Sequence, residues 1–120
     1  MSLYTDLGGE PAIKAAIDLF YEKVLTDPQL APFFDGIDLA RLKERQASFF
    51  STALGGPDLY RGRDLRTAHR LPRERGLDEE RFERFMGYFR STLEELGVPD
   101  ELTDEVMELT YTGKDEVLDR

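Results

Sequence analysis

The sequence predicts an all-α fold, on three observations. Apolar residues recur at three- and four-residue spacing in successive segments, which places them on one face of a helix. Glycines and prolines separate these segments, and an aspartate stands where two of the helices should begin. The chain has 120 residues, the length of one domain with one core. We therefore expect a single helical domain over residues 1–120.

The first long helix is predicted between Gly8-Gly9 and Asp27-Pro28. Pro11 is tolerated in the first turn of a helix, and the Asp-Pro pair ends it. The connector from Pro28 to Phe34 holds two prolines and is expected to form one helical turn. The apolar stripe of this helix is Ile13, Ala16, Ile17, Phe20, Tyr21 and Val24.

The second helix is predicted from an N-cap at Asp38 to Leu54, where Gly55-Gly56-Pro57 stops it. After a loop at Tyr60 to Arg63, a short segment ends at His69. Because Pro72 should prevent a longer helix, we expect Leu71 to Gly76 to be a charged loop. The inner stripe of the second helix is Leu39, Leu42, Gln46, Phe49, Phe50 and Ala53.

A third long helix is expected to begin at Asp78, with Leu77 and Phe82 at the spacing of a hydrophobic staple. The chain should turn at Gly97-Val98-Pro99 and enter a last helix. The low helix propensity of Thr110 to Gly113 predicts that this last helix bends or frays there. The third helix has the stripe Phe82, Phe85, Met86, Phe89, Leu93 and Leu96, and the last has Leu102, Val106, Leu109 and Val117.

Composition excludes several classes of protein. The formal net charge of -9 argues against a nucleic-acid partner, which would require a basic face. No apolar run approaches the length of a membrane span, and the N-terminus lacks a basic, apolar signal peptide. The expected location is the cytoplasm. One histidine and no cysteine exclude a closed zinc site, which needs four such ligands.

His69 is the sole histidine and lies on the apolar side of its short segment, one turn after Leu65. Such a residue is either a packed core side chain or the single protein ligand of a metal that brings most of its own ligands, such as haem iron. Both interpretations stay open on this residue alone. Met86 is another axial-ligand candidate, but its place on a packed stripe favours gap-filling.

Tyr21 and Gln46 are polar residues on apolar stripes, so each needs a hydrogen-bond partner if it is buried. They could bond to each other or to a backbone carbonyl, or they could converge on a ligand. The phenylalanines are equally ambiguous, because they suit an ordinary core and also the flat faces of a macrocycle. They are Phe33, Phe34, Phe49, Phe50, Phe82, Phe85 and Phe89.

Over essentially its whole length, the chain resembles the group I truncated haemoglobins, the two-over-two globins. Each motif is weak by itself, and the resemblance rests on their order and spacing. The matching elements are Gly8-Gly9, Phe20-Tyr21, Val24-Leu25, Asp27-Pro28-Gln29-Leu30-Ala31-Pro32-Phe33-Phe34, Leu42-Lys43, Gln46, Phe49-Phe50, Ala53-Leu54-Gly55-Gly56-Pro57, Tyr60, Gly62 and the run to His69.

The resemblance implies haem b, iron protoporphyrin IX, held in a two-over-two helical sandwich. His69 would be the proximal iron ligand, and Tyr21 the distal donor to bound gas with Gln46 as its partner. The remaining implied contacts are Leu42 at the distal gate, Phe34 against the haem face, Phe49 and Phe50 along a route for gases, and Arg45 at a haem propionate. Simple surface solvation is the alternative for Arg45.

The function implied by the resemblance is reversible binding of oxygen for transport or storage, with nitric oxide and carbon monoxide as further ligands. An enzymatic alternative is nitric oxide dioxygenation by oxygenated haem, which needs an external reductase. We expect a monomer without nucleic-acid or membrane partners. The rivals from other classes are a haem-free helical interaction domain and a gas sensor that lacks an output module.

Overall fold

A computed structural model describes residues 3–55 and 68–119, and all regular secondary structure in these ranges is helical. The all-α prediction is therefore confirmed. The predicted loop from Tyr60 to Arg63 and the segment up to Thr67 lie outside the described residues. The helices are α1 (Leu3–Leu7), α2 (Glu10–Leu25), a 3-10 helix (Ala31–Phe34), α3 (Leu39–Ala53), α4 (Arg70–Glu74), α5 (Glu79–Glu95), α6 (Asp100–Tyr111) and α7 (Lys114–Leu118).

In the two described ranges, four long helices carry the fold, and both predicted caps are present. Helix α2 packs against α3 and α5, and α5 also packs against α6. The Asp38 carboxylate accepts the backbone N–H of Arg41 at 3.3 Å, and Asp78 accepts that of Arg81 at 2.9 Å. These side chains satisfy donors that the first turn of a helix leaves unpaired. Local sequence chemistry thus fixes where α3 and α5 begin.

The connector between α2 and α3 is organised by the buried carboxylate of Asp27, which is 3% exposed. One carboxylate oxygen accepts the backbone N–H of Gln29 at 2.8 Å. The other accepts from Arg84 and, at 2.8 Å, from the Tyr88 hydroxyl, both on α5. The predicted single helical turn follows as the 3-10 helix. Asp27 therefore fastens the end of α2 to α5.

The predicted loop from Leu71 to Gly76 is wrong, because α4 occupies Arg70–Glu74. Pro72 does not prevent this helix, since it stands in the first turn, where a missing N–H costs no intrahelical bond. The stripe of α5 is also shorter than predicted. Leu96 is 44% exposed because α5 ends at Glu95, so Leu96 no longer follows the helical stripe.

The predicted break in the last helix is confirmed. Helix α6 ends at Tyr111, and α7 begins at Lys114. The hydroxyl of Thr112 donates to the Leu109 carbonyl at 2.6 Å, and that of Thr110 donates to Val106 at 2.8 Å. Such side-chain bonds compete with the backbone ladder of a helix. The threonine-rich sequence thus divides the C-terminal region into two helices.

The largest buried cluster joins α2, α5, α6 and α7. A second, smaller cluster lies beneath the connector and consists of Val24, Leu30 and Phe33. The members of the main cluster are Ile13, Ala16, Ile17, Tyr21, Leu54, Phe82, Met86, Leu93, Val106, Met107 and Val117.

No helix in the described parts of the chain is both long and apolar enough to cross a bilayer.

Candidate functional site

A cavity of about 980 Å³ lies between the helices. Small-molecule and cofactor sites commonly enclose about 300–1,000 Å³ and are lined mostly by apolar and aromatic side chains with a few polar groups. The cavity is at the upper end of that range and has such a lining. Its size and its lining suit a large, mostly apolar ligand better than a small polar metabolite.

All eight site residues that the sequence singles out line this one cavity. The structure brings them together from α2, the 3-10 helix, α3 and the residue before α4. Five of the eight come from α3, whose inner face is largely half-buried because it borders the cavity. The eight are Tyr21, Phe34, Leu42, Arg45, Gln46, Phe49, Phe50 and His69.

Tyr21 and Gln46 are bonded to each other at the cavity wall. The Tyr21 hydroxyl donates to Gln46 Oε1 at 2.8 Å. The tyrosine is only 1% exposed, and Phe20 and Phe34 meet its ring edge-on, each with centroids 5.3 Å apart. The two interpretations of this pair are therefore compatible, since the residues satisfy each other and also face a space for a ligand.

The electrostatics of Tyr21 favour a neutral hydrogen-bond donor. Burial raises the pKa of its phenol well above the ordinary value, because the charged phenolate would lose its solvation. The hydrogen bond with Gln46 acts in the opposite direction and is the smaller effect. At neutral pH the hydroxyl consequently keeps its proton and can donate it in a hydrogen bond.

His69 brings the only imidazole of the chain to the cavity, where Ala68 also forms part of the wall. It is half-buried and immediately precedes α4, and its carbonyl accepts the Arg73 N–H at 3.0 Å. Among the described residues, no cluster of three or more histidine, cysteine, aspartate or glutamate side chains could hold a metal ion. A single imidazole in an apolar space suits a metal that carries its other ligands with it.

The phenylalanines are both core and cavity wall. Six of the seven predicted ones border the cavity, and Phe33 and Phe82 are also buried in the two clusters. Phe89 instead borders a second apolar cavity of about 250 Å³, which also touches Phe50. Phe50 and Phe89 pack with ring centroids 5.5 Å apart. Phe50 thus stands between the two spaces.

Sequence reasoning missed much of the wall that comes from the chain after His69, apart from the phenylalanines of α5. The backbone break between α6 and α7 lines the cavity, and so does Pro72 of α4. The threonines near Gly113 were recognisable as a break but carried no signal that they face the site, because their placement depends on long-range packing. The missed members include Leu77, Leu109, Thr110, Thr112, Gly113 and Val117.

These residues fit a haem group. The cavity is large enough, its walls are rich in aromatic rings, and one imidazole and one hydrogen-bonding pair reach it. Arg45 is exposed at the cavity wall, where a guanidinium could pair with a carboxylate that reaches solvent.

Comparison with known proteins identifies the family. The family model for bacterial-like globins matches residues 2–118 of the chain. A group 1 truncated haemoglobin of Synechocystis sp. is 42% identical over 106 residues, which cover 88% of this chain and 86% of that protein. One from Tetrahymena pyriformis is 36% identical over 115 residues, covering 95% of this chain and 93% of that protein.

The fold agrees with this match. The structure of the two-over-two haemoglobin of Synechococcus sp., in the cyanomet state with covalently attached haem, superposes with a TM-score of 0.94 at 37% identity, and each chain is covered completely. Haem is the expected cofactor in this family, and small diatomic molecules are its expected ligands. The chain belongs to the group 1 truncated haemoglobins, haem-containing globins with the two-over-two fold.

Proposed function

We propose that the chain holds haem b with His69 as the proximal iron ligand and binds oxygen reversibly, for transport or storage. One observation carries this proposal: the only imidazole of the chain and the buried Tyr21–Gln46 pair line the same apolar cavity of about 980 Å³. When bound, haem supplies the iron atom at which a diatomic gas is held. The protein would supply the His69 imidazole nitrogen as a ligand to the iron, the dry surroundings and the hydrogen-bond donor.

Tyr21 is the proposed donor to the gas. Its hydroxyl can donate one hydrogen bond and accept others, whereas the Gln46 amide has an oxygen acceptor and an N–H₂ donor. If the amide turns so that its N–H₂ donates to the phenol oxygen, the Tyr21 hydroxyl becomes available for the gas. The contact with Gln46, 2.8 Å long in this structure, thus keeps the phenol in place in both arrangements, with the Tyr21 hydroxyl as donor or as acceptor. A neutral donor favours a ligand that carries negative charge on its outer atom.

The other wall residues have proposed roles that follow from their position. Phe50 borders both the main cavity and the apolar cavity of about 250 Å³, so gases could pass along Phe49 and Phe50. Leu42 lies on the same helix as Gln46 and would gate the distal side. Arg45 would pair with a haem propionate from its exposed position.

Nitric oxide dioxygenation is a second candidate, and the second cavity favours it. The reaction needs two gases, and an apolar space that shares Phe50 with the main cavity could deliver nitric oxide to a site that already holds oxygen. Repeated turnover would require electrons from a separate reductase. Nitrate yield and the rate of re-reduction after addition of nitric oxide distinguish this enzyme from a carrier.

The test is a visible absorption spectrum of the purified chain after incubation with haem and removal of the unbound haem. We expect a Soret band, a spectrum of the reduced protein that changes on exposure to oxygen, and recovery of the first spectrum when the gas is removed. A colourless protein would contradict the haem proposal and support a haem-free interaction domain. Immediate and irreversible oxidation by oxygen would contradict the carrier role.

A further inference from the structure

Two arginines hold α4, the short helix that follows His69. The guanidinium of Arg73 donates through Nη1 to the Val117 carbonyl at 3.0 Å. The guanidinium of Arg75, which caps the end of α4, donates through Nη1 to the Phe33 carbonyl at 2.9 Å. The first bond reaches α7, and the second reaches the 3-10 helix. One short helix is thereby fastened to two separate elements.

Both acceptors belong to residues that line the main cavity. Val117 and Phe33 border it, as His69 does. Longer contacts reinforce the same directions, because Nη1 of Arg73 lies 3.5 Å from the Glu116 carbonyl and Nη1 of Arg75 lies 3.4 Å from that of Pro32. The two guanidinium groups therefore connect the helix after the sole imidazole to two walls of the cavity.

Helix α4 depends on such connections because it is too short to be stable by itself. It has five residues, whereas isolated helices shorter than about 12–15 residues are marginal in water. Its first turn is tied to His69, whose carbonyl accepts the Arg73 N–H at 3.0 Å. Any rotation or displacement of α4 would thus carry His69 with it. The guanidinium bonds are the charge-assisted interactions that oppose such a movement.

The acceptor on α7 is one that the fold leaves available. Val117 and Glu116 lie in the last turn of α7, where backbone carbonyls lack a full set of intrahelical partners. A cationic side chain at a helix C-terminus also interacts favourably with the helix dipole. Arg73 thus stabilises the end of α7 and the position of α4 through the same bond.

We propose that Arg73 and Arg75 are positioning residues, which set the orientation of the His69 imidazole relative to the main cavity. This inference rests on the proposed role of His69 as the haem ligand. Neither arginine is among the described residues that line the cavity. Each would therefore act through the backbone of α4 and not by touching the ligand.

Arg70 provides a matched control on the same helix. It is next to His69, but its side chain is 79% exposed, and its ion pair at 3.2 Å is with Glu74, within α4 itself. Removing the Arg70 charge changes the net charge as much as removing that of Arg73 or Arg75. Because the Arg70 side chain contacts only α4 in this pair, its removal leaves the bonds of Arg73 and Arg75 to the cavity walls in place.

The experiment compares haem-loaded wild type with Arg73→Gln, Arg75→Gln, the double variant and Arg70→Gln. The iron–histidine stretching band of the reduced, gas-free protein reports the orientation of the imidazole, and transfer of haem to an excess of a second haem-binding protein gives its rate of loss. One charge-assisted hydrogen bond corresponds to roughly ten- to a hundredfold in an equilibrium constant. Because Arg75 is exposed, we expect an effect at the lower end of this range.

We expect the double variant to bind haem, to shift the stretching band and to lose haem about tenfold faster than wild type. Arg70→Gln should match wild type in both. Arg73→Lys and Arg75→Lys retain a charged donor and should recover most of the wild-type band, which a loss of general stability would not produce. If the double variant does not fold, the single glutamine and lysine variants are compared in the same way.

Equal bands and equal rates of haem loss in the double variant and Arg70→Gln would overturn the inference. The same shift in all three glutamine variants would also overturn it, because a general charge effect would then suffice. A colourless wild-type protein would contradict the proposed function itself and remove the positioning role with it. The two failures are therefore distinguishable by the wild-type spectrum.

Discussion

The hydroxyl of Tyr21 donates a 2.8 Å hydrogen bond to Oε1 of Gln46, which joins α2 to α3 at the wall of the main cavity. Both side chains stand on otherwise apolar stripes, and the tyrosine is almost fully buried. A polar pair in this position satisfies its own hydrogen bonds and keeps a donor beside the space proposed for haem.

Tyr21→Phe should release oxygen at least about tenfold faster, the effect of losing a donor worth roughly 1.5–3 kcal/mol. Oxygen in the site carries more negative charge on its outer atom than carbon monoxide does, so it gains more from the donor. Carbon monoxide kinetics should change less. Stopped-flow measurements with both gases test this, and equal effects on the two would remove Tyr21 from the donor role.

Gln46→Leu should destabilise the haem-free chain by about 1–3 kcal/mol, because it leaves the buried Tyr21 hydroxyl without its partner. The variant with both Tyr21→Phe and Gln46→Leu should lose less than the sum of the two single changes, since no polar group is then left unpaired. Urea unfolding of the four proteins completes this double-mutant cycle. Additive losses would show that the bond contributes nothing to stability.

The Asp27 site predicts a loss of stability in acid. The hydrogen bond from Arg84 is the largest effect and, with those from Gln29 and Tyr88, holds the pKa of Asp27 below its usual range despite burial. A carboxyl whose pKa is lower in the folded state stabilises above its unfolded pKa of about 3.9, and this contribution is lost as the pH falls through the folded value.

Asp27→Asn should therefore unfold more easily near neutral pH and lose less stability than wild type below about pH 4. Urea unfolding from pH 7 downward measures both effects. Asp104→Asn is the control, because Asp104 pairs with Arg90 on the surface, where both side chains are largely exposed. If stability depended on acid identically in wild type and Asp27→Asn, the lowered pKa of Asp27 in the folded state would be contradicted.

The parts of the fold that depend on local chemistry could be predicted from the sequence. Asp38 and Asp78 cap their helices because a carboxylate before an apolar stripe meets the free N–H groups of the first turn. The threonines before Gly113 end α6 for an equally local reason. Tyr21, Gln46 and His69 were identifiable because polar groups interrupt apolar stripes, and the family resemblance implied their roles.

The parts that depend on distant contacts could not be predicted. Pro72 indicated a stop, whereas α4 continues through it and is held by bonds from Arg73 and Arg75 to elements far away in sequence. Nothing local indicates that an exposed-looking arginine will reach the carbonyl of Val117 or Phe33. For the same reason, the contribution of the α6–α7 break to the cavity wall appears only in three dimensions.

Haem uptake by His69→Ala, measured as the Soret absorbance of the purified chain after titration with haem, tests directly whether His69 holds the iron. We expect wild type to bind haem to saturation, and the variant to lose most of this affinity and to regain colour and binding when imidazole is added. If His69→Ala took up haem as tightly as wild type and gave the same spectrum in the absence of imidazole, His69 would not be the iron ligand.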